Sequence, residues 1–264
     1  MKDFNYHLPN DLSGAASIVK GSGDGKFMAG GMTLIPVLKQ RLAAHEDIVD
    51  LGAIAELKGV KVEGGELVVG AMTCHADVNA SADVKNTIPA LSELAGQIAD
   101  PAVRHRGTIG GSISNADPAA DYPAAVLGLN ATVVTTDRQI AADDFFTGFF
   151  STALEPGEIV KAVRFKKPDK AKYVKLRHPA SGYAVVGVMV ARYGKDVRVA
   201  ITGAAPSVFR ATEMEKALAA NFSVDAIKDI VISADGLMED IHSGADYRAH
   251  VATVFVRRAV AAIA

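Results

Sequence analysis

The chain has 264 residues, of which 49% are hydrophobic and 22% charged, so it is long enough to bury a substantial core as a globular protein. Its formal net charge of −2 gives no electrostatic reason to bind nucleic acid, which excludes that class of partner. No apolar run approaches the ~20 residues that cross a bilayer and the first residues lack a signal-peptide pattern, so we expect a cytoplasmic protein.

The first fifty residues alternate short apolar runs with segments of helical periodicity, which predicts a small α/β lobe. The predicted elements are a strand at Phe4–His7, a helix at Leu12–Val19, a strand at Lys26–Ala29, a helix at Leu34–Leu42 and a strand at Ile48–Leu51.

A second α/β lobe is predicted over about 54–168. It opens with two alternating runs around Gly64 and Gly65, which is a strong β-hairpin signal. The remaining predicted elements are helices near 75–81, 89–99 and 118–129 and strands near 131–135 and 158–165. The charged segment 166–170 contains a proline and predicts a linker.

The pattern changes after the linker, where strands are followed by helices in blocks. The predicted strands are 173–176, 184–193 and 197–202, and the predicted helices are 211–220, 224–236 and 246–263. Such blocks indicate an α+β domain, with helices on one face of a three-stranded antiparallel sheet. We therefore predict an α+β protein with a first domain at 1–168, made of lobes at 1–53 and 54–168, and a second at 170–264.

Metal ligands are scarce in this sequence. Cys74 is the only cysteine, so the chain cannot form an intrachain disulfide or hold an iron–sulfur cluster with four cysteines of its own. Cys74 and His75 are the nearest approach to a ligand pair, but adjacent side chains in an extended segment point apart. We predict no metal site.

Two glycine pairs stand between strand-like and helical segments. The first is Gly30 and Gly31, and the second is Gly110 and Gly111. Paired glycines allow close approach to the backbone and can present N–H groups to an anion, so two such loops suit a ligand with two phosphates. A tight strand-to-helix turn without a ligand is the alternative for the first pair. The glycine-rich segment 21–26 completes no nucleotide-binding motif and is interpreted as a connector.

The second pair lies in a polar segment with little charge. Thr108, Ser112, Ser114 and Asn115 surround the glycines, a density typical of a loop that binds a polar ligand. Asp117 before a proline predicts the N-cap of the next helix. Asp121 lies one turn further on and is predicted to bond ligand hydroxyls; a first-turn acid favoured by the helix dipole is the alternative. Arg104 and Arg106 flank the segment as phosphate-binding candidates or solvated cations.

These residues resemble the FAD-binding medium subunits of molybdenum hydroxylases, most closely the aerobic carbon monoxide dehydrogenase type. The family's loops read Ala-Gly-Gly-(Gln or His)-Ser-Leu and Thr-Ile-Gly-Gly-Asn-(Ile or Leu)-Ala-Asn-Ala-Asp-Pro-Ala-Ala-Asp. This chain has Ala29-Gly-Gly-Met-Thr-Leu34 and Thr108-Ile-Gly-Gly-Ser-Ile-Ser-Asn-Ala-Asp-Pro-Ala-Ala-Asp121. Segments 175–187 and 246–250 are also similar, so the resemblance covers about residues 3 to 262.

The resemblance implies a two-lobed α/β FAD-binding domain, with the cofactor between the lobes, followed by a smaller α+β domain. It implies which residues bind the cofactor. Those implied at the pyrophosphate are Ala29, Gly30, Gly31, Met32, Thr33, Thr108, Ile109, Gly110, Gly111 and Ser112. Those implied around the rest of FAD are Asn115 and Asp121 at the ribityl and phosphate region, Ile159 or Val160 in the pocket wall, Lys175 close to the flavin and Tyr183 near the isoalloxazine ring.

Two of these assignments have local alternatives. The local pattern alone predicts that Lys175 is a cation on the surface of a strand and that Tyr183 is an aromatic residue at the edge of a strand. Two departures from the family pattern predict weaker FAD binding, because Met32 replaces a polar residue and Ser112 replaces asparagine.

The function implied by the resemblance is electron relay, and no residue stands out as a catalytic acid, base or nucleophile. A large molybdenum-cofactor subunit would oxidise the substrate, a small subunit would pass electrons through [2Fe-2S] clusters to FAD, and FAD would pass them to an external acceptor. The implied assembly is a dimer of heterotrimers, and peripheral membrane association would occur only through the complex. The alternatives are a free-standing FAD oxidase or dehydrogenase, or a scaffold subunit that has lost FAD.

Overall fold

The computed structural model describes residues 1–264, and its first sheet confirms the small α/β lobe. The elements of this lobe are β1 (Asn5–His7), α1 (Leu12–Gly21), β2 (Gly25–Met28), α2 (Leu34–Lys39) and β3 (Asp47–Asp50). The sheet is parallel, in the order β1-β3-β2. Helix α2 is shorter than predicted because Arg41 takes a left-handed φ of 60° just beyond it. A left-handed residue ends an α-helix.

The second sheet is antiparallel and has five strands. The strands of this part of the chain are β4 (Val60–Glu63), β5 (Glu66–Gly70), β6 (Thr132–Thr135), β7 (Gln139–Ala141), β8 (Phe146–Gly148), β9 (Ser151–Thr152) and β10 (Val160–Lys166). The order in the sheet is β4-β5-β10-β6-β7. Strands β8 and β9 form a separate small hairpin. The predicted β4–β5 hairpin is confirmed, with Gly64 and Gly65 at φ of 60° and 82°.

More helices connect these strands than the sequence pattern predicted. They are α3 (His75–Ala80), α4 (Ala82–Thr87), α5 (Pro89–Gly96), α6 (Pro101–Arg104), α7 (Ile109–Asn115), α8 (Tyr122–Gly128) and α9 (Ala142–Phe145). The prediction that Asp117 caps a helix starting at Pro118 is wrong. Asp117 instead accepts the N–H of Ala119 at 2.9 Å in a local turn, and Asp121 takes the N-cap position of α8.

The last part of the chain forms a four-stranded antiparallel sheet with two helices. Its elements are β11 (Lys170–Arg177), β12 (Ala184–Tyr193), β13 (Asp196–Thr202), β14 (Phe209–Arg210), α10 (Thr212–Ala220) and α11 (Ala245–Ile263). The three predicted strands are present, and the short β14 adds a fourth next to β13.

The prediction of a helix at 224–236 is wrong. Only a single turn of 3₁₀-helix forms there, at Asp225–Ile227. The backbone beyond it bonds to side chains of α11: Thr253 Oγ1 accepts the N–H of Ile232 at 2.9 Å, and Arg257 donates to the carbonyl of Lys228 at 2.7 Å. These tertiary bonds replace the bonds of a helix.

Three hydrophobic clusters hold these layers together. The largest combines the five-stranded sheet and its helices with Tyr173, Met189 and Ala200 of the last sheet. A second lies between the last sheet and helices α10 and α11, and a third lies under the first sheet. No helix is both long and apolar enough to cross a membrane.

Candidate cofactor-binding site

The two glycine segments lie against each other in the structure. The α-carbon of Gly30 faces the backbone of Arg106 and Gly107 so closely that a Cβ on Gly30 would overlap the Arg106 carbonyl oxygen. A Cβ on Gly111 would lie 3.0 Å from the Cβ of Ala29. Because of this contact, the end of β2 and the start of α7 form one continuous surface.

The first glycine loop has five consecutive backbone N–H groups without a partner. None of the amides from Ala29 to Thr33 donates a hydrogen bond within the protein. Gly31 has a φ of +72°, a left-handed conformation that suits glycine and turns the chain into α2. Successive unpaired N–H groups in such a turn form an anion-binding concavity. Thr33, which is exposed, adds a hydroxyl beside them.

The second glycine pair differs from the prediction, because it lies inside the first turn of a helix and its amides are used. Gly110 donates to the carbonyl of Ala71 at 2.8 Å, and Gly111 donates to Thr108 Oγ1 at 3.1 Å. Ile109 donates to the carbonyl of Thr73 at 3.2 Å. A Cβ on Gly110 would lie 2.5 Å from the Cβ of Ala71, so this glycine serves close packing of α7 on the end of β5.

The polar side chains of α7 are free to meet a ligand. Ser112 and Asn115 are half-buried and Ser114 is exposed, and none of the three forms a side-chain hydrogen bond within the protein. A half-buried amide and hydroxyl without protein partners are typical of groups that bond water or a ligand. Helix α7 therefore contributes side-chain groups, while the first loop contributes backbone N–H groups.

The two arginines near the second loop have different positions. Arg104 donates to the carbonyls of Ile98 and Ala99 at 2.8 and 3.3 Å, so its guanidinium supports that turn. Arg106 is exposed and forms no ion pair. Arg106 is thus the better placed of the two to meet an anion at the junction of the loops.

Asp121 is buried and joined to strand β11 of the last sheet. Its carboxylate accepts the hydroxyl of Tyr173 at 2.6 Å and lies 2.9 Å from Lys175 Nζ. Asp121 is only 4% exposed, and burial raises the pKa of its carboxyl group while the Lys175 charge opposes that shift. Asp121 is therefore not free in the way that the sequence predicted, because both of its carboxylate oxygens already bond side chains of β11. It is also more than a first-turn acid, because these bonds join two parts of the chain.

Lys175 has a fully buried side chain, so the alternative of a strand-surface cation is wrong. Its Nζ also donates to the carbonyl of Gln97 at 3.3 Å. Burial lowers the pKa of the ammonium group, and the Asp121 carboxylate acts against that shift. Sequence reasoning missed Tyr173, although strand alternation offered the signal: residues 173 and 175 lie on the same face of β11.

Ile159 and Val160 lie in hydrophobic cores. Ile159 is 3% exposed and belongs to the cluster under the first sheet, against which Ala29 also packs. Val160 is 5% exposed and belongs to the largest cluster. Of the two, Ile159 is therefore the one that shares a cluster with the first glycine loop.

Tyr183 lies at the wall of a groove between the two halves of the chain. It is 41% exposed, and burial of part of the ring raises the pKa of its hydroxyl. The groove has a volume of about 380 Å³, and Asp117, His178, Asp240 and His242 also line it. The structure thus brings Tyr183 close to the segment that follows α7. It offers no cluster of three or more His, Cys, Asp or Glu side chains that would hold a metal ion.

Two family models match nearly the whole chain. Residues 2–167 match the FAD binding domain in molybdopterin dehydrogenase, and residues 171–263 match the CO dehydrogenase flavoprotein C-terminal domain.

Relatives align over almost their full length. The carbon monoxide dehydrogenase medium chain of Hydrogenophaga pseudoflava is 35% identical over 97% of this chain and 96% of its own. The glyceraldehyde dehydrogenase medium chain of Sulfolobus acidocaldarius is 33% identical over 99% of both chains.

Solved structures agree with these matches. A chain of reconstituted CO dehydrogenase from Oligotropha carboxidovorans superposes with a TM-score of 0.87 at 33% identity, covering 98% of this chain and 97% of that one. A chain of quinoline 2-oxidoreductase from Pseudomonas putida 86 gives a TM-score of 0.89 at 27% identity, with coverage of 99% and 98%. The chain therefore belongs to the FAD-binding medium subunits of molybdopterin dehydrogenases of the CO dehydrogenase flavoprotein type, and is an oxidoreductase subunit whose cofactor is FAD.

Proposed function

We propose that this chain is an electron-transfer subunit that receives electrons from [2Fe-2S] clusters of a small partner subunit and passes them to an external acceptor. A large molybdenum-cofactor subunit oxidises the substrate in this scheme, and the assembly is a dimer of heterotrimers. The proposed domains are 1–168, with lobes at 1–53 and 54–168, and 170–264.

The observation that carries the proposal is the row of five unpaired N–H groups at Ala29–Thr33 next to Gly111. A pyrophosphate offers acceptor oxygens to such a row, and the missing Cβ atoms leave the backbone accessible. The side chains of Ser112 and Asn115 add polar groups without protein partners. These residues fit FAD, and Ala29 to Thr33 with Thr108 to Ser112 are proposed to enclose its pyrophosphate.

The rest of the proposed site follows the same surface. Asn115 and Asp121 are assigned to the ribityl and phosphate region, Ile159 or Val160 to the pocket wall, and Tyr183 to the neighbourhood of the isoalloxazine ring. FAD supplies the redox chemistry when bound, and the protein supplies position and electrostatic tuning. Lys175 is assigned to the neighbourhood of the flavin. Its charge is paired with Asp121, and the pair lies in a water-poor region, where a cation stabilises nearby negative charge more strongly than at the surface.

No side chain in this site is arranged to act on a substrate as nucleophile, acid or base, so the chain is proposed to be active only within its complex. Its relatives are named as medium chains and subunits, which supports a multi-subunit assembly. In the proposed complex, substrate identity lies with the molybdenum subunit.

A visible absorption spectrum of the purified chain, before and after incubation with FAD, tests cofactor binding. We expect flavin absorption bands that stay with the protein through gel filtration. Reduction of this bound flavin by the reduced [2Fe-2S] subunit then tests the relay. A protein that remains colourless at saturating FAD would favour the scaffold alternative, and substrate oxidation by the chain without partners would favour the free-standing oxidase or dehydrogenase.

A further inference from the structure

The β8–β9 hairpin presents two phenylalanines to solvent at its tip. Phe149 is 61% exposed and Phe150 is 49% exposed, and their rings stack edge to face with centroids 4.8 Å apart. The base of the hairpin is fixed, since Phe145 is fully buried and Phe146 packs on it edge to face at 5.0 Å. The tip is thus a firmly held apolar projection.

Folding of the isolated chain does not explain these two residues. Phe150 has a φ of +50°, a left-handed conformation that glycine or asparagine adopts at lower cost than a bulky residue. Holding phenylalanine there destabilises the free chain, and exposing two aromatic rings adds no stability to it. Backbone strain of this kind clusters at functional sites.

The chain on either side of the tip is acidic. Segment 137–158 carries five carboxylates and one arginine, although the whole chain has a net charge of only −2. Glu158 and Asp143 are paired with arginines, whereas the exposed Asp137, Asp144 and Glu155 form no ion pair. The segment that carries the hairpin therefore offers a partner more negative than positive charge.

The hairpin is attached to the proposed cofactor site. Strand β9 packs against helix α7, which carries the second glycine pair and Asn115. A protein seated on the tip would thus lie beside the helix that we assign to FAD. In the proposed relay, the [2Fe-2S] subunit is the partner that must lie near the flavin to deliver electrons.

We infer that Phe149 and Phe150 anchor the interface with the [2Fe-2S] subunit, which offers an apolar socket bordered by lysine or arginine. This inference rests on the proposed function. Exposed aromatic side chains that fill a socket on a partner dominate the affinity of many interfaces, while charges at the rim contribute orientation and association rate.

The test measures the affinity of the full, FAD-loaded chain for the purified [2Fe-2S] subunit and, separately, for the molybdenum subunit. The main variant combines Phe149→Ser with Phe150→Asn, and Phe150→Asn is also made alone. Val62→Ser is the matched control, because Val62 is 50% exposed at the other hairpin. Flavin content and melting temperature are recorded for each protein.

We expect the double variant to bind the [2Fe-2S] subunit about 30-fold more weakly, as for loss of an interface hot spot. Its flavin content should equal that of the wild type. Phe150→Asn alone should weaken binding while leaving the melting temperature unchanged or higher, because asparagine relieves the left-handed strain. Binding of the wild type should weaken as salt rises, and Val62→Ser should bind within twofold of the wild type.

If the double variant binds the [2Fe-2S] subunit as tightly as the wild type does, the inference is wrong and the proposed function is unaffected. The same holds if the double variant loses affinity only for the molybdenum subunit, or if Phe150→Asn loses flavin and has a lower melting temperature. If the wild type itself holds FAD but never binds the [2Fe-2S] subunit, the proposed function fails and the inference fails with it.

Discussion

Lys175 of strand β11 reaches the carboxylate of Asp121 at the start of α8, with 2.9 Å between Nζ and the nearest oxygen. The two residues are 54 positions apart and belong to the two regions matched by different family models. Both side chains are almost free of solvent contact. This ion pair is thus a buried polar link between the two regions, beside exposed pairs such as Lys172 with Glu93.

Removal of the cation from this pair should destabilise the protein strongly. Lys175→Met leaves the Asp121 carboxylate buried without its counter-charge, so we expect the free energy of unfolding to fall by about 3–5 kcal/mol. Urea denaturation measures the change.

Lys172 on the same strand provides the matched control. It pairs with Glu93 at 2.7 Å, but both side chains are about one-third or more exposed. Lys172→Met should therefore change the free energy of unfolding by less than about 1 kcal/mol. If Lys175→Met and Lys172→Met lower the free energy of unfolding by similar amounts, the buried pair with Asp121 does not stabilise the protein more than the exposed pair with Glu93.

Protonation of His75 should destabilise the protein in mild acid. His75 is 4% exposed and its Nδ1 has no partner, and burial lowers the pKa of the ring from 6.5 to about 4. Between pH 6.5 and about pH 4, the unfolded chain therefore binds a proton at His75 that the folded chain does not bind. Stability falls as pH drops through this window, by about 3 kcal/mol between pH 6.5 and pH 4.

Denaturation curves across that pH range test the contribution of His75. Between pH 6.5 and pH 4, the free energy of unfolding of His75→Leu should fall by about 3 kcal/mol less than that of the wild type, whatever the effect of the substitution at pH 7. His250→Leu, at an exposed position of α11, should leave the slope unchanged. An unaltered slope in His75→Leu would mean that other groups cause the acid sensitivity.

Local patterns predicted most strands and helices, because their causes are local. The β4–β5 hairpin follows from Gly64 and Gly65, and α11 follows from its apolar periodicity. The failures have tertiary causes. The helix predicted at 224–236 is replaced by bonds to Thr253 and Arg257, which no local pattern contains.

The candidate site was predictable as a list of residues but not as an arrangement. The sequence drew attention to both glycine pairs, yet their contact depends on the carbonyl of Arg106 meeting the α-carbon of Gly30. Nor does sequence spacing reveal that the amides of the second pair are bonded to Ala71 and Thr108 while those of the first pair are free. Long-range packing decides both features.

A methyl group at Gly30 should disrupt the site by separating the two glycine segments. In Gly30→Ala the new Cβ would overlap the carbonyl oxygen of Arg106, a backbone atom that cannot move aside like a flexible side chain. We expect FAD affinity to fall about tenfold or more, which corresponds to about 1.4 kcal/mol. Titration of the apoprotein with FAD, followed by flavin fluorescence, gives the affinity.

Gly21→Ala is the control for this experiment. Gly21 belongs to the other glycine-rich segment, and a Cβ there would meet no atom within 4 Å. The variant should bind FAD like the wild type. A loss of affinity in Gly21→Ala equal to that in Gly30→Ala would contradict the assignment of the first glycine loop.

Restoration of a polar side chain at Met32 should tighten FAD binding. Met32 is 37% exposed, and it stands in the row of free amides where the family pattern has glutamine or histidine. Met32→Gln adds an amide that can donate to a phosphate oxygen, and one net hydrogen bond of about 0.5–1.5 kcal/mol corresponds to an increase in affinity of about 2- to 10-fold. Leu42→Gln is the control, because Leu42 is 74% exposed beyond α2. If Met32→Gln binds FAD no more tightly than the wild type while Leu42→Gln also has no effect, methionine at this position does not weaken cofactor binding.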